Sequence, residues 1–386
     1  MSDYYSITDI NINNKNLLVR EDLNVPIKDQ VILSEKRIDA IIPSIKYMLE
    51  NGAKVCILSH MGRPDEGSFD KNLSLESVAK KISEKMGISV HFEKRPIDEY
   101  SPDYKNKITL YENVRFIKGE KIGDQTLAKK IVKNCDIFVM DAFAAAHRTH
   151  CSSYTLAKFA PVTCAGPLMI SEIKNLQKFS ENPNKPLLAI IGGAKVSTKL
   201  NILSSIIKKV DMMILGGGIA NTFMMAKGIN IGNSLVEEKL TNDAKAIIEY
   251  AKSNNVILPL PIDVACDNNG KQTIKKSYEI QADDIIKDIG PETINIYKSI
   301  IDDAKTIIWN GPLGIFEEKN YELGTKKITE MISESNAFTV AGGGDTISAI
   351  EKYSELERIS YTSTGGGAFL EYLEDKELPG ISIIKK

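Results

Sequence analysis

Short apolar runs recur along this chain, each closed by a turn signal and most followed by an amphipathic stretch. No other feature restricts the fold as much. NLLVRED, KVCILSH, ITLYENV and IFVMDAF in the first half read as buried strands, as do PLLAII, DMMIL, NVILPL, KTIIWN, AFTVA and SYTST in the second. Helical patterns lie between them at 73–86, 124–133, 198–209 and 243–253. Strands alternating with helices wind into parallel sheets covered on both faces. The 386 residues exceed one ordinary core. The expected fold is therefore α/β: two doubly wound, parallel-sheet (Rossmann-like) domains joined by a hinge helix. Ala165-Gly166-Pro167 followed by a helical stretch at about 168–181 and a Pro/Asn-rich loop is the best boundary candidate, with the first domain over 1–167; the alternative is an ordinary αβ connection inside one large sheet.

Charge and cysteine usage narrow the setting. A net charge of −2 gives no basic field for nucleic acid or an anionic membrane. No apolar run reaches the roughly 18 residues of a membrane span, and MSDYYSITDININNK lacks the pattern of an export signal. Cys56, Cys135, Cys151, Cys164 and Cys266 are odd in number and form no C-x-x-C pair, which predicts reduced cytoplasmic thiols.

Overall composition is ordinary, but its distribution is not. Six of the seven arginines (Arg20, Arg37, Arg63, Arg95, Arg115, Arg148) and all four histidines precede residue 151, whereas twenty of 26 glycines follow it. A chain that otherwise uses lysine should reserve arginine for bidentate binding of phosphate or carboxylate. Arg20 ends a predicted strand and leads into Asp22 and Asn24, and Arg37 opens a helical stretch. His60 and Arg63 follow KVCILS, Arg115 follows ITLY, and His147-Arg148 follow DAFAAA. These positions predict an anion site at one edge of the first sheet. Arg95 in HFEKRP and His91 have no such context, and His150 is set aside with them. His147-x-x-His150-Cys151 has no third and fourth partner at zinc spacing.

In the second half, five glycine turns sit just past strand ends: Gly192-Gly193-Ala194-Lys195, Gly216–Gly218, Asn310-Gly311-Pro312, Gly342–Gly344 before Asp345-Thr346, and Gly365–Gly367. Such turns feed helix N-termini whose free N–H donors suit a polyphosphate. Asp345 with Thr346 could hold Mg²⁺ through a carboxylate and the phosphates it bridges. Neither G-x-x-x-x-G-K-[ST] nor a dinucleotide G-x-G-x-x-G is present, which weakens the P-loop and NAD-dependent dehydrogenase readings.

From VREDLNVP through SHMGRP, LYENVRF, DAFAAAHRTHCSS, GGAKVSTKL, GGGIANTF, WNGPLGIFE and AGGGDT to STGGGAFLEYLEDKELPG, the chain resembles the phosphoglycerate kinase family. The resemblance implies that the second domain covers 168–367 and that 368–386 fold back onto the first. It places 3-phosphoglycerate or 1,3-bisphosphoglycerate on Asp22, Asn24, Arg37, His60, Arg63, Arg115 and Arg148, with Arg20 and His147 completing the basic patch. It places ADP or ATP against Gly192, Gly193, Ala194, Lys195, Lys199, Gly217, Asn310, Glu317, Gly343 and Gly344, with Asp345 and Thr346 as the Mg²⁺-nucleotide loop. It implies phosphoryl transfer to or from a carboxylate after hinge closure, with Arg37, Lys199 and the Gly344 and Gly367 helix starts acting on the transferring group. A cytoplasmic monomer is also implied. Met140, Ala144-Ala145, Glu21 and Thr198 depart from the family pattern. The competing expectations are a two-domain dehydrogenase and a non-catalytic binding homologue.

Overall fold

A computed structural model of the chain describes residues 3–98, 102–181 and 183–386. It divides into two compact units, 1–174 with 377–386 and 175–376.

The first unit is built on a six-stranded, wholly parallel sheet of β1 (Asn16–Arg20), β2 (Lys54–Leu58), β3 (His91–Glu93), β4 (Ile108–Tyr111), β5 (Ile137–Met140) and β6 (Thr163–Ala165). Its spatial order is β3-β4-β2-β1-β5-β6, so the direction of winding reverses between β1 and β5. β1, β2, β4 and β5 are buried over nearly their whole length, which explains their continuous apolar sequence. Helix α1 (Lys36–Glu50) buries Ile38, Ile41, Ile45 and Met48 at helical spacing against Leu17, Val19, Val55 and Ile57. The chain end returns to this unit: Tyr5 N donates to the carbonyl of Ile384 at 2.9 Å, and Gly380 N to that of Ala146 at 2.8 Å.

The second unit holds a five-stranded parallel sheet of β7 (Leu187–Ile191), β8 (Met212–Leu215), β12 (Thr306–Asn310), β13 (Phe338–Gly342) and β14 (Tyr361–Ser363), ordered β8-β7-β12-β13-β14. Leu188, Ile190, Ile214, Ile307 and Trp309 centre its core. Beside it lies an antiparallel sheet of β9 (Asp263–Asn268), β10 (Lys271–Lys276) and β11 (Ile285–Ile289).

Several sequence expectations need correction. The antiparallel sheet was not anticipated, because β10 reads KQTIKK and has no fully buried residue. NVILPL is not a strand but only a bridge from Ile257 to Met212, since Pro259 and Pro261 remove the N–H donors a ladder needs. The short β3 and β6 gave too little pattern to read. The division falls at 174/175, inside helix α2 (Pro167–Ser180), rather than at its start. Only 377–386 group with the first unit, because helix 367–373 packs on helix 200–206.

Asp263 supplies a long-range cap. Gly290 has no side chain with which to cap helix 291–303. Instead the buried Asp263 carboxylate accepts from Glu292 N at 3.0 Å, Thr293 N at 2.8 Å and Thr293 Oγ1 at 2.7 Å. Asp263→Ala should destabilise the second unit by about 2–4 kcal/mol. Urea unfolding followed by the single tryptophan, Trp309, measures this, because that residue reports the second unit's core alone.

Candidate active site

In the first unit, β1, β2, β4 and β5 are parallel and deliver their following residues to one edge. Arg20 ends β1 and is 3% exposed. Its Nε donates to Ser152 Oγ at 2.9 Å, Nη1 donates to the Glu21 carbonyl, and Nη2 contacts His60 Nδ1 at 3.1 Å. A guanidinium only donates, so Nδ1 accepts and the imidazole proton sits on Nε2. Ser152 passes the interaction on to the buried Glu120 carboxylate at 2.6 Å. Arg37, in the first turn of α1, meets Asp22 Oδ2 at 3.0 Å and donates to the Asn24 carbonyl at 2.7 Å. Asn24 Oδ1 accepts from Gly62 N at 2.8 Å, and Arg115 Nη1 donates to the Gly62 carbonyl. Arg63 and Arg148 are exposed and His147 is half-buried.

The electrostatics tie these groups together. Burial and then Arg20, Arg115, Arg37 and His150 push the pKa of His60 well below its ordinary value. Arg115 is lowered to about 10 by burial, then by Arg20 and Arg148. His150 is lowered to about 4 by burial, then by Arg115, Arg148, Arg20 and His147. Mutual repulsion of this kind marks a cationic cluster without enough counter-charge of its own. His150 thus belongs to the patch from which the sequence reading excluded it. Arg95 instead pairs with Glu93 at 2.8 Å on the surface, and His91 is exposed.

In the second unit the donors are backbone groups. The turns after β7, β8 and β12 meet main chain to main chain. A Cβ on Gly192 would stand 1.8 Å from the Pro312 carbonyl oxygen, and one on Gly217 2.7 Å from that of Gly193. Gly217 also has φ +63, which side chains rarely adopt. Lys199 reaches into this junction, its Nζ donating to the carbonyls of Gly192 at 2.6 Å and Asn310 at 3.1 Å. Burial lowers its pKa to about 8, with Asp345 opposing. Gly344 opens helix 344–353 and Gly367 opens helix 367–373.

A cavity of about 250 Å³ adjoins the turns and is lined by Gly193, Ala194, Gly217, Glu317 and Asp345 from the expected set. Leu235, Pro261, Val264, Ile286 and Leu313 form its apolar wall, with Lys287 and Asp288 beside them. Apart from Leu313, which lies in WNGPLGIFE, none of these apolar wall residues carried a motif. Lys195 is exposed at the turn. Thr346 is only 1% exposed. Its hydroxyl accepts from Gly311 N at 2.7 Å and donates to the Gly342 carbonyl at 2.9 Å, so it braces two turns. Asn310 likewise donates Nδ2 to the Gly342 carbonyl at 2.7 Å. Among the described residues no group of three or more His, Cys, Asp or Glu could hold a metal ion. One exposed carboxylate, Asp345, beside the cavity fits a cation shared with a ligand's phosphates.

Two α/β units, one gathering guanidinium groups and the other stacking glycine turns around a cavity, define a kinase-like pair of anion sites. The family model for phosphoglycerate kinase matches residues 7–376. A phosphoglycerate kinase of Francisella tularensis subsp. tularensis is 48% identical over 388 residues, covering 99% of this chain and 98% of the relative. One from Legionella pneumophila is 47% identical over 384 residues, covering 98% and 97%. The solved phosphoglycerate kinase of Coxiella burnetii superposes with TM-score 0.93 at 43% identity, over 99% of this chain and 98% of that one. That of Pyrococcus horikoshii gives 0.82 at 30% identity, over 98% of each. The chain belongs to the phosphoglycerate kinase family, and its activity is that of a phosphotransferase of this family. The dehydrogenase expectation finds no support.

An anion in the first unit's patch should relieve the repulsion acting on its imidazoles. Nitrogen-detected NMR should find His150 titrating near 4 in the free protein and moving upward when inorganic phosphate is added. An ordinary value in the free protein would contradict the clustering.

Proposed function

We propose that phosphoglycerate binds the first unit's patch and the nucleotide binds the second unit's glycine turns, with phosphoryl transfer between 1,3-bisphosphoglycerate and MgADP giving 3-phosphoglycerate and MgATP. The observation that carries this reading is the gathering of Arg20, Arg37, Arg63, Arg115 and Arg148 with His60, His147 and His150, in which burial and then the neighbouring cations lower the pKa values of His60, Arg115 and His150. A ligand carrying both phosphate and carboxylate supplies the missing charge. Asp22 and Asn24 offer acceptors among these cations, which suits the glycerate hydroxyl.

On the nucleotide side, the apolar wall from Leu235 to Leu313 suits a purine, Glu317 the ribose hydroxyls, and the turns at Gly192–Lys195, Gly217 and Gly343-Gly344 the phosphates. Mg²⁺ would be held by Asp345 together with those phosphates and would neutralise part of their charge. Thr346 and Asn310 hold the nucleotide turns in shape through their internal hydrogen bonds.

In the direction that consumes ATP, the nucleophile is the carboxylate of 3-phosphoglycerate and ADP is the leaving group; the carboxylate is ionised at pH 7, so no general base is needed. Catalysis comes from in-line placement and from neutralising charge on the three equatorial oxygens. Arg37 and Lys199 perform the neutralisation, aided by N–H groups at the Gly344 and Gly367 helix starts. Hinge closure brings the two substrates together and keeps water from the acyl phosphate. The reading extends to a cytoplasmic monomer; five buried cysteines without disulfide partners fit the reducing setting.

Arg37→Ala should lower kcat by about 100-fold or more while changing the Kd for ADP little; unchanged turnover in a coupled assay with 3-phosphoglycerate and ATP would refute its role. Lys199 binds an anion only when protonated, and its lowered pKa means that the free protein loses this charge as pH rises past about 8. ADP affinity measured by calorimetry should therefore decline above that pH, and Lys199→Met should remove the decline.

A further inference from the structure

β1 and β5 are parallel neighbours in the register Arg20↔Met140. One residue further on stand Glu21 and Asp141, whose side chains this register directs to the same face. Both residues are fully buried at 0% exposure. Their carboxyl groups lie within hydrogen-bonding reach of each other. Neither oxygen of Glu21, nor Oδ2 of Asp141, meets a donor among the described residues. Two ionised carboxylates accept only, so this arrangement is stable only with a proton between them.

The surroundings decide which side carries that proton. Asp141 Oδ1 accepts from Met169 N at 2.8 Å in the first turn of α2, and the Leu168 N–H and Ser44 hydroxyl also favour its ionised form. Glu21 has no such donor, so it carries the proton and donates it to Asp141. The charged and titratable groups facing the pair are Arg20, Asp22 and the buried Cys164 thiol.

We propose that Glu21 and Asp141 share one proton at neutral pH and that this pairing sets the position of Arg20 and Asp22 for phosphoglycerate. Glu21 is a positioning residue: it lies between the two, its carbonyl accepts from Arg20 Nη1, and the Asp141 N–H holds the Arg20 carbonyl at 3.0 Å. Loss of the proton would set two like charges side by side in a dry place where the sheet reverses direction. One strand end must then give way, and Arg20 and Asp22 move with it. The nucleotide turns belong to the other unit and are not attached to these strands.

Burial and then Asp141 raise the pKa of Glu21 well above its ordinary value, and Asp141 is raised to about 6. In this window the folded chain keeps a proton that the unfolded chain has released. Stability is therefore lost as pH rises from the ordinary carboxyl range through the pair's own titration.

Glu21→Gln replaces the shared proton with a permanent amide donor. Infrared difference spectra of the full chain, wild type minus Glu21→Gln, should show a protonated-carboxyl band at neutral pH. Asp288 and Glu120, whose pKa values are also raised, cancel in the difference. The ratio of wild-type to Glu21→Gln KM for 3-phosphoglycerate should rise with pH, no more steeply than about tenfold per pH unit for one proton. The same ratio for ATP should stay flat. Taking ratios removes the substrate's own titration. A difference spectrum without the band overturns the shared proton. A flat 3-phosphoglycerate ratio with the band present overturns the positioning role.

The positioning role rests on assigning Arg20 and Asp22 to phosphoglycerate. Failure of that assignment is recognised separately, by Arg20→Ala leaving the KM unchanged while the band persists. Should Glu21→Gln not fold, Asp141→Asn replaces the carboxylate that receives the proton with an amide and must move the band; an unmoved band overturns the shared proton.

Discussion

Parallel strands all release the chain at the same edge, and everything polar that the two halves of this protein present depends on that constraint. A buried parallel sheet spends its side chains on apolar packing. Chemistry is confined to the few residues just beyond each strand end. In the first unit those residues include Arg20, His60, Arg115 and Asp141, drawn from four strands. Local contacts satisfy only part of their charge: Glu120 and Asp22 act on Arg20, while His60, Arg115 and His150 are left repelling one another. The folded state tolerates this because the core beneath is continuous. The unmet charge then becomes binding energy for an anion.

The second unit meets the same constraint with backbone. Its turns approach so closely that a methyl group at Gly192, Gly217 or Gly311 would collide with a carbonyl. The donors on offer are N–H groups, fixed by main-chain geometry and unable to lose their charge or swing away. This division explains the uneven composition better than a general preference would. Guanidinium forks suit a small ligand with two separated anionic groups. Close-set N–H groups suit a polyphosphate, which needs many short contacts along one line. Lys199 is the exception in the second unit, held between two carbonyls with its charge weakened by burial.

Much of this was legible in the sequence, for physical reasons that also explain the gaps. Strands buried on both faces gave continuous apolar runs, and nearly all of these formed. The antiparallel β9–β11 sheet escaped because its middle segment shows no apolar period. Arg20, Arg63 and Arg115 could be placed because a strand signal preceded each. His150 could not, since its relation to the patch comes from the fold of 147–155 and leaves no period in the chain. The brace that Thr346 forms was equally illegible: a residue next to a triple glycine gives no sign that its hydroxyl bonds Gly311 N and the Gly342 carbonyl. The cavity wall was illegible for a simpler reason. Leu235, Val264, Ile286 and Leu313 come from separate elements, and an apolar residue gives no sequence sign of whether it faces a core or a ligand.

Glu21 shows how a departure from a family pattern acquires meaning only in three dimensions. In the sequence it is one more acidic residue among 51. The register of β1 on β5 sets it beside Asp141, and burial then makes a second negative charge untenable. An apolar residue would leave Asp141 as a lone carboxylate held by Met169 N and its neighbouring donors. With glutamic acid present, the same place gains one proton and a direct link between two strand ends. That link joins the loop bearing Arg20 and Asp22 to the first turn of α2, the helix in which the chain passes from one unit to the other. The anion patch and the start of that helix therefore share a single buried, titratable support.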